Sequence, residues 1–247
     1  QLRNAADQIK SSIAAVIDKP ASIGIHWDFI RAIHRPLRPG KAHANKPVDY
    51  LILNYDTLLE DALALEKIRY ADGMGGGTTA WWNIKAFEEN GLDARVLKLH
   101  GSINWCEFQD DPLPRRVSAN LNLPPGSSRR VLIWPASTKY LETQKDPYAQ
   151  MISIVRGILR PQSGSQTVLA ICGYRFGDSH INLEIDRGLR ESEGRLTILA
   201  FTSEDKPEGR LKLWQEDPMV RDQVRIYAQK GLFHGINNIT SPDELPW

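Results

Sequence analysis

The chain has 247 residues, 41% hydrophobic, 25% charged and 8% aromatic, which excludes disordered and fibrous classes and suits one large domain or two small ones at ~150 residues per domain. Thirty-one Lys and Arg against thirty Asp and Glu leave a formal charge of +1, so the balance gives no reason to expect phosphate-backbone binding as the main task. Two cysteines, Cys106 and Cys172, form neither a metal-ligand spacing nor a secreted disulfide framework, which points to a reducing cytoplasm.

The opening AADQIKSSIAAVID predicts a helix, because Ile9, Ile13, Ala14 and Ile17 recur at three-to-four-residue intervals. A second helix is expected over IHWDFIRAIHRPL, stopping near Pro36 and Pro39, and a basic linker, RPGKAHANKPVDY, leads to the first strand, DYLILNY. A helix, TLLEDALALEK, follows, with Glu60 placed to favour its positive end. GMGGG at 73–77 reads as a mobile connector, and Trp81 and Trp82 read as packing residues ahead of a charged helix. RVLKLH is the second strand, SINWCEF begins an inserted strand or hairpin, and RVLIWP is a further strand stopped by Pro135. The intervening QDDPLPRRVSANLNLPPGSS has four prolines and reads as a surface excursion, so 103–135 is expected to be an inserted loop or hairpin region.

The C-terminal third alternates regularly. DPYAQMISIVRGILR predicts a helix, TVLAICGY a buried strand holding Cys172 in the core, HINLEIDRGLRE a helix and RLTILAF a strand. A last helix, GRLKLWQED, and a strand, QVRIYAQ, precede a polar tail. This rhythm predicts an α/β, Rossmann-like fold with a mostly parallel sheet and flanking helices. No apolar run approaches the ~20 residues of a membrane helix, and no basic segment with an apolar targeting core opens the chain.

Ligands of such sheets gather beyond the carboxyl ends of the strands. Three segments stand there: Asn54-Tyr55-Asp56, His100-Gly101-Ser102, and Gly173-Tyr174 through Gly177-Asp178. Asn54 offers paired donor and acceptor groups for a water or an amide. Asp56 either neutralises a cation or caps the following helix. His100 suits proton exchange near neutral pH or a structural bond at a turn. Gly173 and Gly177 allow close approach of a nucleotide to main-chain N–H groups, whereas Asp178 or Ser179 equally serves as a helix cap. His26, His34 and His43 read as surface or packing residues. No metalloprotease motif or nucleophile elbow is present, and no metal site is expected.

LNYDTLLEDAL, KLHGSINW and CGYRFGDSHIN, in this order, resemble the SIR2-like family, and among its members the bacterial NAD-consuming antiphage-defence branch more than the protein deacylases. The resemblance covers about 45–205 and implies one SIR2-like domain over 1–247 with NAD+ as substrate. It implies that Asn54 and Asp56 lie around the nicotinamide and its ribose, that His100, followed by Gly101 and Ser102, acts near the ribose hydroxyls, and that Gly173, Tyr174 and Asp178 border the adenosine half, with Gly177 in the same motif. The zinc-module cysteines of the deacylases are absent. Members ordinarily begin with a strand and a glycine-rich phosphate loop, and no such segment precedes Asn54. The domain is therefore expected to be N-terminally incomplete, completed by a partner, or degenerate.

The activity implied is NAD+ glycohydrolysis to nicotinamide and ADP-ribose in antiphage defence. The rival expectation is a catalytically silent NAD- or ADP-ribose-binding or oligomerisation module. Expected partners are further copies of the chain or other defence-system domains or subunits, with no membrane and no direct nucleic-acid contact.

Overall fold

The computed structural model describes residues 2–35, 46–108, 111–118, 121, 123, 128–132 and 145–245. Pro36, Pro39, His43 and Pro135, and most of the basic linker and of the proline-rich excursion, lie outside the described residues. The chain divides into two compact units, Gln1–Ile152 and Ser153–Trp247.

In the first unit, helices α1 (Leu2–Ile17) and α2 (Gly24–His34) precede strand β1 (Val48–Ile52), helix α3 (Leu58–Leu65) and strand β2 (Tyr70–Ala71). Strand β5 (Ala94–Lys98) lies between β1 and β2, parallel to both. The core follows from the strand period of two. Tyr50, Ala94 and Val96 are buried in one cluster with Ile30 of α2 and Leu59, Ala62 and Leu63 of α3. Register pairs Tyr50 with Val96 and Ile52 with Lys98, so Lys98 stands in the same alternating row as Val96.

A second sheet in this unit has the order β3-β4-β7-β6-β8, with β3 (Met74–Gly76), β4 (Ala80–Trp82), β6 (Gly101–Phe108), β7 (Asp111–Arg116) and β8 (Ser128–Leu132), and its recorded pairings are antiparallel. The segment expected to be a mobile connector is thus strand β3 and its turn. Gly73 has φ +81°, and a Cβ there would stand 2.5 Å from the Trp82 ring, so that glycine serves both conformation and close approach. Trp82 is buried edge-to-face against Phe87 and Trp105, whereas Trp81 is exposed. The charged helix expected after the tryptophans is a 3-10 turn, Ile84–Glu88. β7 was not expected because it contains Pro112 and Pro114. These lack N–H donors, and the β6–β7 ladder shifts register between Cys106 and Phe108, where they fall.

Helix α4 (Tyr148–Leu159) carries the chain into the second unit, where β9 (Thr167–Cys172), β10 (Leu196–Phe201) and β11 (Val224–Ala228) are parallel. Helix α5 (Ser179–Glu191) links β9 to β10, and α6 (Gly209–Glu216) links β10 to β11. The expected polar tail instead forms β12 (Gly231–His234) and β13 (Asn237–Thr240), an antiparallel hairpin added to β11. Its two-residue turn starts at Gly235, φ +57°. β9 is an edge strand with Val168 and Cys172 exposed, which corrects the expectation that Cys172 is a core residue.

Each unit is α/β with parallel strands and accompanying helices, the Rossmann-like organisation expected. Among the described residues no helix is long and apolar enough to cross a membrane.

Candidate functional site

The loop after β1 and the turn after β5 are joined by main-chain bonds. Leu99 N–H donates to Ile52 O at 2.9 Å, and Ile103 N–H donates to Tyr55 O at 2.9 Å. The Ser102 hydroxyl donates to the same Tyr55 carbonyl at 3.2 Å. Two of the three segments singled out from the sequence, Asn54–Asp56 and His100–Ser102, are therefore brought together. Asn54 is exposed, whereas His100 is buried, with its ring 6.5 Å from that of Tyr55. Gly101 has φ +85°, which lets the chain turn from β5 directly into β6.

Asp56 stands one residue before Thr57, the N-cap of α3, and its side chain braces the turn into that helix rather than capping it. Its Oδ1 accepts the Leu58 N–H at 3.1 Å at the start of α3. Ser102 is buried and turned to the main chain. Two groups that sequence reasoning did not assign to the site lie beneath it. Lys98 Nζ donates to the Asp56 carbonyl and lies 3.4 Å from Glu60 Oε1. Glu60 is buried, and desolvation pushes its carboxyl above the usual carboxylate range against the opposing pull of Lys98. It therefore does more than favour a helix dipole. The signal was a lysine inside the apolar run VLKL.

The third segment lies at the end of β9 in the second unit. Gly173 has φ +67°, and Phe176 adopts the left-handed region at φ +56°. The Tyr174 hydroxyl donates to Asn182 Oδ1 at 2.9 Å and accepts the Asp178 N–H at 3.3 Å, while Asn182 Nδ2 donates to Phe176 O at 2.7 Å. Burial raises the Tyr174 hydroxyl well above its usual range, so it remains protonated at neutral pH. Asp178 occupies the N-cap position of α5, where its carbonyl accepts the Asn182 N–H at 2.9 Å. A Cβ on Gly173 or Gly177 would meet nothing within 4 Å. His180 and Asn182, both buried at the start of α5, were missed because they read as helix interior.

The family model for the SIR2-like domain matches residues 50–219. The chain belongs to the SIR2-like domain family. That match spans the strand-end segments of both units. No curated protein matches the chain. SIR2-like domains generally use NAD, and the family includes enzymes. Among the described residues of this SIR2-like domain, no group of three or more His, Cys, Asp and Glu side chains is arranged to hold a metal ion.

Proposed function

We propose that this SIR2-like domain is an NAD+ glycohydrolase that cleaves the nicotinamide–ribose bond and acts in cytoplasmic antiphage defence by depleting NAD+. The observation that carries the reading is the joining of the Asn54–Asp56 and His100–Ser102 segments at the ends of two adjacent parallel strands, held by the paired bonds to the Tyr55 carbonyl. Oxidised nicotinamide is already a cationic leaving group. The bond to C1′ of the ribose breaks with its electron pair going to the pyridine nitrogen, and water adds to the oxocarbenium-like carbon and loses a proton. Asn54 positions the water or the ribose, and His100 supplies proton transfer or polar stabilisation. Asp56 serves the nicotinamide side, with Gly101 and Ser102 shaping the turn. Gly173, Tyr174, Gly177 and Asp178 are assigned to the adenosine half. No metal enters this reaction.

The full chain incubated with NAD+ is expected to release nicotinamide, and Asn54→Ala and His100→Ala are each expected to slow release by about 100-fold. Chromatography of the products checks this. No release by the wild type under activating conditions, or undiminished release by the double variant, overturns the mechanism.

The internal bond of Asp56 to Leu58, which occupies one carboxylate oxygen within the protein, favours a second reading, in which the domain is a silent NAD- or ADP-ribose-binding or oligomerisation module of a larger defence assembly. Calorimetric binding of ADP-ribose without turnover of NAD+ would select it.

A further inference from the structure

We propose that Lys98 is a positioning residue of the strand-end site: its buried ammonium, held by Glu60, fixes the Asp56 carbonyl and thereby the Asn54–Asp56 segment against the His100–Ser102 segment. Lys98 is the last residue of β5 and only 1% exposed. An ammonium so far from water requires acceptors, and it has the Asp56 carbonyl and the Glu60 carboxylate, 3.4 Å away. A buried ion pair commonly contributes no more stability than well-packed apolar residues of the same volume. What this pair supplies that a methionine would not is a fixed donor at one carbonyl.

That carbonyl completes a series of anchors. Ile52 O accepts from Leu99, Tyr55 O accepts from Ile103 and Ser102, Asp56 O accepts from Lys98, and Asp56 Oδ1 accepts from Leu58. Asn54 lies within this braced segment and is exposed at its tip. Loss of one brace lets that tip wander, and misplacement by about 1 Å is enough to cost ~100-fold in rate.

The catalytic meaning of this role rests on the NAD+ hydrolase reading, so the test has one arm inside that reading and one outside it. Because Lys98→Met alone strands a buried carboxylate, Lys98→Met/Glu60→Gln is compared with the wild-type full chain, and Lys98→Arg serves as the conservative variant. Outside the reading, amide hydrogen exchange at Leu58 and Ile103 is expected to quicken about tenfold or more in the double variant while Val96 in β5 keeps its protection. Inside it, kcat for nicotinamide release is expected to fall about 10- to 100-fold with KM for NAD+ changed less than about threefold, and Lys98→Arg recovers part of the loss. Unchanged exchange at Leu58 and Ile103, or faster exchange with unaltered kcat, overturns the positioning role and leaves the hydrolase reading standing. A wild type that turns over no NAD+ overturns the hydrolase reading, and exchange alone then decides the role of Lys98.

Discussion

The carboxylate of Asp56 closes the turn into α3 through Oδ1, which accepts the Leu58 N–H. Any charge-dependent service to a ligand is a separate property of the same side chain, and two substitutions divide them. Asp56→Ala removes the acceptor of this turn bond and is expected to lower stability by about 1 kcal/mol. Asp56→Asn keeps an oxygen for the Leu58 N–H and is expected to melt near the wild-type temperature, while under the proposed NAD+ hydrolase reading it is expected to bind NAD+ less tightly through loss of a counter-charge to the cationic nicotinamide. Thermal melts and calorimetry check both halves. Unaltered NAD+ affinity in the Asn variant would leave the turn bond as the only task of Asp56. Ser102 and Tyr174 pose the same division, since each hydroxyl donates within the protein.

At the scale of elements, α2 and α3 are clasped by one carboxylate. Glu66, directly after α3, accepts from Arg31 Nε at 2.6 Å, from Arg35 Nη2 at 3.2 Å and from the Trp27 indole. The Arg31 hydrogen bond is the largest cause that lowers its pKa from the ordinary 4.5 to about 2, ahead of the bond from Trp27 and the charges of Arg31 and Arg35. A carboxyl held lower in the folded chain than in the unfolded one adds stability when both are ionised. That contribution is complete above about 4.5 and is lost as pH falls towards about 2. Melting temperatures followed down through this window are expected to drop more steeply in the wild type than in Glu66→Gln. Equal slopes would mean that Arg31 and Arg35 leave the acid limb to other carboxylates, among which Glu184 is also held low, first by its hydrogen bond from Arg156.

Across the whole chain, the elements legible in the sequence are those whose burial is periodic. β1, β5, β10 and β11 are apolar runs, and α2, α3 and α5 carry apolar stripes. β2, β3 and β4 are two or three residues long, β7 contains two prolines, and β13 is exposed along its length, so pairing partners rather than apolar period create them. The strand-end positions of the candidate site were legible for the same reason as the strands. The direction of each polar atom was not, because the Asp56 turn bond, the Ser102 bond and the Lys98 contact depend on segments distant in sequence or on the turn geometry itself. The exposed sulfur at the end of β9 now has a practical use. With Cys106 buried and Cys172 exposed beside Gly173, a thiol-reactive dye under native conditions is expected to attach once, at Cys172, and a second time only after unfolding. Partial desolvation by neighbouring residues still raises the Cys172 thiol above its usual range, so labelling is expected to quicken with rising pH. Mass spectrometry counts the attachments, and the singly labelled native chain carries a fluorescent reporter beside Gly173 without any engineered residue.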